Sequence, residues 1–351
     1  MGKKRVAIVG IGMTKFGELW DKSYRDLITE AGIQAIEDAG VKGEEIQEIY
    51  GGSMSPGVFA SQEHVSAMIG DYAGLKGIPS TRVEGACASG GLALRQGYLS
   101  IRSGRNELVM VGGVEKMSDL PTQSVMVALM GAGDQEWEAF PGMTFPALYA
   151  LMARRHMEEY GTTLEQISQV SVKNHHHACL NEKAQFKFEV TLEEVMNSPL
   201  VADPLRLLHC SPISDGAAAL VLASEKKAKE LRDDPIWIEA TGLGTDTLSL
   251  HDRKSLSRMD AVRIAAKRAY EYAGIKPKDI DLAEVHDCFS IAEIMAIEGL
   301  GFCELGKGGK LTEEGETSLG GRIPINPSGG LKGKGHPVGA TGIAQAIECV
   351  L

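Results

Sequence analysis

The most constraining feature of this chain is that part of it occurs twice. Asp26 to Gly51 (DLITEAGIQAIEDAGVKGEEIQEIYG) and Asp260 to Val285 (DAVRIAAKRAYEYAGIKPKDIDLAEV) align without gaps at an offset of 234 residues. Ala39-Gly40 falls on Ala273-Gly274, and Ile46 falls on Ile280. In each copy apolar residues recur at three-to-four spacing, a glycine stops the run, and a short charged link leads into a strand-like segment. Upstream, Arg5 to Gly12 pairs in kind with Ile236 to Gly244. A repeat of this kind predicts two βα-rich halves, one beginning near residue 1 and the other near residue 234. The Gly10-x-Gly12 element does not make a dinucleotide site. Lys15 stands where the third glycine belongs, and Gly17 comes too late.

Within the first half, buried strands are predicted over Glu107–Gly113 and Ala217–Ala223, the latter followed by a charged helix from Ser224. The stretch between them, about 119–205, is rich in methionine and helix formers and reads as a helical cap over a cleft. The predicted division is therefore an N-terminal core half (1–118 with 206–233), an inserted domain (119–205) and a C-terminal core half (234–351). The second half reaches a helix start at Ala340–Ile347 and carries no counterparts of the two later strands, so a chain lacking its natural C-terminal end is expected.

The net charge of −11 argues against a nucleic-acid partner. An anionic substrate would need a local basic patch. Lys307, Lys310, Arg322, Lys332 and Lys334 offer one, with an ordinary solvated loop as the alternative. None of the six cysteines forms a Cys-x-x-Cys pair, so a zinc ribbon is unsupported. A disulfide framework does not suit a chain of this length and core content, and reduced thiols in a cytoplasmic setting fit. The run Lys3-Lys4-Arg5 before Val6–Gly10 mimics a signal peptide but is too short, and no apolar run reaches membrane-spanning length.

Three turns carry chemistry. Cys87 lies in Gly85-Ala86-Cys87-Ala88-Ser89-Gly90-Gly91, before a helix-like run. A helix N-terminus favours thiolate, and the small neighbours leave room for a substrate, although a merely buried cysteine is an equal alternative. His286-Asp287-Cys288-Phe289 follows a predicted strand. Asn326-Pro327-Ser328-Gly329-Gly330 precedes Gly335-His336-Pro337-Val338-Gly339-Ala340-Thr341-Gly342, a second glycine-rich turn into a helix. Together Cys87, His286, Cys288 and His336 can run thioester chemistry without a metal. A thiolate attacks and holds the acyl group, a histidine activates it, and a second thiol takes a proton beside a carbonyl. Donors at the thioester oxygen are each worth about 3–4 kcal/mol. The alternatives are a metal cluster at His286-Asp287-Cys288, for which no second cluster has ligand spacing, and a capping role for His336. His175-His176-His177 is expected to be a solvated helix face, and His156 and His209 to be structural.

Taken together, these segments resemble the thiolase superfamily over nearly the whole chain. Most thiolases have Asn-Glu-Ala-Phe where this chain has His286-Asp287-Cys288-Phe289. The latter is similar to the sterol-carrier-type thiolases and the archaeal acetyl-CoA C-acetyltransferases. Gly12-Met13-Thr14-Lys15-Phe16-Gly17 looks like the same group. The resemblance implies a five-layered αβαβα fold, a duplicated core with an inserted loop domain. It implies that Cys87 is the acylated nucleophile, that His336 activates it and that Cys288 is the acid/base. It further implies that His286 polarises the second acetyl group, that Phe289 lines the pantetheine tunnel, and that the turn bearing Asn326 and Gly330 supports the substrate site. Most thiolases also carry a Cys-x-Gly motif near the C-terminus, which this chain does not contain.

By the same resemblance, the activity is the reversible condensation of two acetyl-CoA to acetoacetyl-CoA, feeding the mevalonate pathway. No cofactor is implied beyond the coenzyme A thioesters themselves. The implied assembly is a homo-dimer or tetramer, in complex with hydroxymethylglutaryl-CoA synthase through a zinc-ribbon/OB-fold bridging protein. A degradative 3-ketoacyl-CoA thiolase for longer or aromatic chains, and a non-catalytic scaffold on the same fold, are the alternatives.

Overall fold

The computed structural model describes residues 4–351; the Lys3 end of the basic run lies outside them. Contacts divide the chain into two compact units. One comprises the described part of Met1–Thr122 with Ile213–Glu239 and His336–Leu351; the other comprises Gln123–Pro212 with Ala240–Gly335.

The strands are β1 (Val6–Met13), β2 (Glu48–Gly52), β3 (Ser80–Val83), β4 (Leu108–Glu115), β5 (Leu200–Ala202), β6 (Leu205–Arg206), β7 (Gly216–Ser224) and β8 (Ile236–Ile238). The first unit is built on a six-stranded mixed sheet in the order β3-β2-β4-β7-β1-β8. β2 runs parallel to β3 and β4, whereas β4–β7, β7–β1 and β1–β8 are antiparallel. The central strands read as nearly unbroken apolar runs because both faces are covered. On one face Ala7, Val9, Met110, Ala219 and Val221 pack under the helix Tyr24–Ala39. On the other, Val6, Ile8, Val109, Leu220 and Leu222 meet the helices Ser89–Ser103 and Thr341–Glu348. The strands predicted around 107–113 and 217–223 are β4 and β7, and Ser224 caps the charged helix Glu225–Leu231.

The second unit is mainly helical. Its long helices are Phe145–Tyr160, Leu164–Cys179, Asp260–Ala273 and Ser290–Gly299, beside the β5–β6 hairpin. Ile167, Val170, Leu205, Ile291, Ile294 and Leu331 form its main core.

The repeat is physically real, and glycine explains it. A Cβ on Gly10 or Gly12 would lie 2.3 Å from Ala35 O or 2.2 Å from Ala31 O of the following helix. In the second copy a Cβ on Gly242 or Gly244 would lie 2.0 Å from Ala265 O or 2.4 Å from Ala261 O. Both Gly-x-Gly pairs exist so that backbone can touch backbone. The copies differ in their strands, however. The strand expected before Val285 is reduced to a single bridge, Ala283 to Ile325, because a strand needs a ladder of partners. β8 pairs with β1 in the first unit's sheet.

Candidate functional site

In the first unit, Cys87 sits in a 3₁₀ turn (Ala86–Ala88) that opens directly into the helix Ser89–Ser103. Ala86 adopts a left-handed φ of 51°, a conformation costing an L-residue about 1 kcal/mol. Local bonds hold it there. Ser89 Oγ donates to Ala86 O (2.6 Å) and accepts from Gly85 N (3.0 Å), and Ala86 N donates to Glu84 Oε1 (2.6 Å). The final turn packs on this elbow at backbone distance: a Cβ on Gly90 would lie 2.7 Å from Gly339 O. Cys87 Sγ and a ring nitrogen of His336 therefore come within 4.8 Å of each other.

The tautomer of His336 follows from its partners. Thr341 Oγ1 gives its proton to Pro337 O (3.0 Å), so at 2.7 Å from His336 Nδ1 it can only accept. Nδ1 carries the hydrogen, and Nε2 presents the lone pair of a base. The backbone N–H of His336 is held by Ser214 Oγ at 2.8 Å.

The thiol itself corrects the expectation drawn from the helix terminus. Burial, and then the carboxylate of Glu115, push Cys87 from 9.0 up to about 12. That is roughly 4 kcal/mol against thiolate, whereas a helix terminus returns about 1 kcal/mol. Cys87 is a thiol at rest and needs a base. Glu115, fully buried, carries no signal in the sequence. It accepts from Ser53 Oγ (3.0 Å), Met54 N (2.8 Å) and Gly339 N (3.1 Å), and burial pushes its carboxyl up to about 7.

In the second unit, His286 to Phe289 leads into the helix Ser290–Gly299. Burial lowers His286 to about 4, so its ring is neutral at physiological pH, a hydrogen-bonding group rather than a cation. Cys288 is buried, and its carbonyl accepts from Ser211 N (2.9 Å). Phe289 bridges to Cys210 and stacks on Tyr149 with centroids 4.6 Å apart. Between them Asp287 turns inward, accepting from Asn174 Nδ2 (2.8 Å) and Leu331 N (2.7 Å). Gly330, at φ 58°, passes so close that a Cβ would lie 2.5 Å from Asp287 Oδ2. Asn326 spends both ends of its amide on protein, with Oδ1 accepting from Val285 N (2.7 Å) and Nδ2 donating to Glu293 Oε2 (2.8 Å). Glu293 pairs with Lys173 at 3.0 Å. None of Lys173, Asn174 and Glu293 carries a sequence signal, since their partners are distant in the chain.

Two expectations are corrected here. His175 and His177 are buried, and only His176 is a solvated face. His177 Nε2 accepts from Leu319 N, so its Nδ1 donates to Asn326 O, and burial lowers it to about 4. Lys332 and Lys334 are likewise buried rather than part of a solvated loop. Lys332 Nζ donates to His209 O.

A thiol and a lone-pair imidazole nitrogen on two abutting helix starts, above a mixed α/β sheet, define the thiolase class of fold. Residues 6–226 match the family described as "Thiolase, N-terminal domain" and residues 242–351 that described as "Thiolase C-terminal domain-like"; the chain belongs to the thiolase family. It is 58% identical to an acetyl-CoA acetyltransferase of Methanothermobacter thermautotrophicus, over 98% of this chain and 90% of that one. With an acetyl-CoA acetyltransferase of Methanocaldococcus jannaschii it shares 54% identity, over 98% of this chain and 88% of that one. Sterol carrier protein 2 of Bos taurus is more distant, at 38% identity over 99% of this chain and 66% of that protein. Among solved structures, the Ltp2-ChsH2(DUF35) aldolase superposes with a TM-score of 0.85 at 29% identity, covering 98% of this chain and 89% of that one. An acetyl-CoA acetyltransferase from Syntrophomonas wolfei, at 23% identity and a TM-score of 0.73 over 99% and 92% of the two chains, shares the fold.

Proposed function

We propose that this protein is an acetyl-CoA C-acetyltransferase that condenses two acetyl-CoA, reversibly, into acetoacetyl-CoA and CoA. The observation that carries the reading is the Cys87–His336 pair, with the proton of the imidazole held on Nδ1 by Thr341. His336 Nε2 takes the Cys87 proton as Sγ attacks the thioester carbonyl. The bond to the CoA sulfur breaks, CoA leaves with that proton, and acetyl-Cys87 remains. In the second half-reaction Cys288 serves as the acid/base that takes a proton from the methyl group of the next acetyl-CoA, while the neutral His286 ring hydrogen-bonds the thioester oxygen. The resulting carbanion attacks the acetyl carbon, the new C–C bond forms, and the Cys87 thiolate departs and recovers a proton from Cys288. Phe289, Asn326 and Gly330 shape the substrate side of the second unit. The 58% and 54% identical relatives named for this activity support the substrate.

Condensation is uphill, so the product needs an enzyme that draws it off. We assign that role to hydroxymethylglutaryl-CoA synthase in a cytoplasmic mevalonate route, with a zinc-ribbon/OB-fold bridging protein joining it to a dimer or tetramer of this chain. The likeness to the two-component Ltp2-ChsH2(DUF35) aldolase favours a partnered assembly. Among the described residues, no helix is long and apolar enough to cross a membrane. A second reading is thiolysis of longer 3-ketoacyl-CoA, for which the methionine-rich segment of about 119–205 offers an adaptable pocket lining. Incubation with a panel of acyl-CoA donors and intact-mass measurement decides among these. The expected result is one acetyl group on the wild type and none on Cys87→Ala. An acetylated Cys87→Ala protein would sink the assignment, and acylation by long chains only would select the second reading.

A further inference from the structure

The first unit holds a buried carboxylate with no countercharge. Glu115 is 0% exposed, and no lysine or arginine forms an ion pair with it among the described residues. A buried anion in that state is expensive unless it is needed. Its surroundings are well defined. Glu115 Oε2 accepts from two backbone N–H groups, Met54 and Gly339, and Oε1 accepts from Ser53 Oγ, which also meets Tyr24 Oη at 2.8 Å. The Arg82 guanidinium is occupied elsewhere: Nε and Nη2 donate to the carbonyls of Ser53 (3.2 Å) and Met54 (2.5 Å), and Nη1 faces Glu63 at 3.4 Å. The other titratable groups that sense the carboxylate are Tyr24 on the first helix and Cys87 on the elbow. The packing here is backbone on backbone. A Cβ on Gly52 would lie 2.6 Å from Ser89 C, and one on Gly339 would lie 2.8 Å from both Glu115 Oε2 and Ser53 Cα. Glu115 thus sits beneath the elbow and the His336 turn at once.

We infer that Glu115 is a positioning residue that also acts electrostatically. It ties the His336 turn to the end of β2, and its unpaired charge adds to burial in keeping Cys87 a thiol at rest, so that thiolate forms when His336 takes the proton. The inference deepens the proposed function, because it rests on Cys87 being the nucleophile. It gives the carboxylate a use. A resting thiolate would meet oxidants and stray electrophiles, whereas a thiol coupled to a base reacts only when a thioester is in place. The Coulombic effect of Glu115 on the Cys87 thiol and the near-neutral titration of Glu115 agree with it.

Charge and geometry can be separated here. In Glu115→Gln the amide oxygen can take the place of Oε2 and accept from Met54 N and Gly339 N. The amide NH₂ then donates to Ser53 Oγ, which turns its own proton to Tyr24, and Tyr24 donates to Val114 O, 3.4 Å away. The bonds to Met54, Gly339 and Ser53 survive, and the charge is lost. The test is the rate of Cys87 carboxamidomethylation by iodoacetamide between pH 6 and 9, read on the Cys87 peptide by mass spectrometry. Glu115→Gln should react at least about tenfold faster at pH 8, the change that one pKa unit of thiolate fraction produces. An equal or slower rate overturns the inference. The wild type alone supplies a second readout, independent of whether the variant folds. As Glu115 ionises near pH 7 it opposes thiolate formation, so the logarithm of the rate should climb with a slope below one between pH 6 and 8 and return to one above. A uniform slope of one overturns the inference equally. Alkylation does not require acylation. Loss of acyl-enzyme with every donor would remove the proposed function and leave this result readable, while normal acylation with unchanged alkylation would remove Glu115 alone.

Discussion

The two units hold their reactive side chains by opposite means. Around Cys87 and His336, position comes from backbone contact: Gly90 against Gly339, Gly52 against Ser89, and one carboxylate binding two amides. Side-chain charge there is unbalanced, with Glu115 buried alone. Around His286 and Cys288, position comes from side chains. Asp287 and Glu293 are balanced by the buried lysines Lys332 and Lys173 and joined through Asn174 and Asn326. Acids and bases come in equal number, so the network can be dry and still neutral overall. Backbone packing admits no large side chain but leaves the local field adjustable by one charge. An ionic network sets position firmly but loses its balance if any member is removed.

The contrast predicts a ranking of effects. Glu293→Ala strands Lys173 as a buried cation and should lower unfolding stability by about 3–5 kcal/mol, visible as a large drop in the urea midpoint. A drop no bigger than that of a surface mutant would break the contrast. Glu115→Gln should act in the opposite direction. The folded carboxyl titrates at about 7, above its ordinary 4.5, so the native state binds the extra proton, and stability falls as pH rises between those values. Removing the charge should therefore stabilise the protein by up to about 3 kcal/mol at pH 8 and have little effect at pH 5, a difference that thermal melts at the two pH values will read. On the acid side the second unit dominates. His177 and His286 titrate at about 4 and His209 at about 3 in the fold, against 6.5 in the open chain. The unfolded chain takes up those protons first, so Tm should fall steadily as pH drops from 6.5 toward 4. A flat Tm over that range would contradict the neutral tautomers assigned above. Thr341→Val removes the acceptor for His336 Nδ1–H. It should cut kcat about tenfold, equivalent to ~1.4 kcal/mol, alter the pH dependence of acylation, and lower stability by about 1–3 kcal/mol for the unpaired buried N–H. The smallest effect belongs to Lys229→Ala, which deletes an exposed pair with Glu225 and should cost less than about 0.5 kcal/mol.

The parts of the molecule legible in sequence are those written in local pattern. Helix periodicity and glycine stops locate both copies of the repeat, and the small residues around Cys87 and His336 locate two turns whose contact depends on having no side chains. What escapes is set by distant partners. Glu115 ends an ordinary apolar strand, and nothing near it indicates that Gly339 will supply its second amide. Lys173 and His177 look like the solvated face of a polar helix until Ile325, Asn326 and Leu319 cover them. The segment before Val285 has the right residues for a strand but, among the described residues, finds only Ile325 to pair with, since strand pattern specifies a willingness to pair and not the presence of a neighbour. The helix terminus does favour a reactive Cys87, but by too little, because the opposing desolvation and the charge of Glu115 are invisible in a one-dimensional string.

The Gly-x-Gly pairs carry a lesson about how duplicated halves diverge. Gly10 and Gly12 meet the carbonyls of Ala35 and Ala31, whereas their counterparts Gly242 and Gly244 meet those of Ala265 and Ala261, which correspond in the repeat to Ala31 and Leu27. The second helix has slid by four residues, close to one full turn, or about 6 Å along its axis. A slide of one or two residues would have turned a different face to the glycines and closed the contact with side chains. Divergence at this joint is thus quantised: the surface works like a ratchet whose tooth is one helical turn.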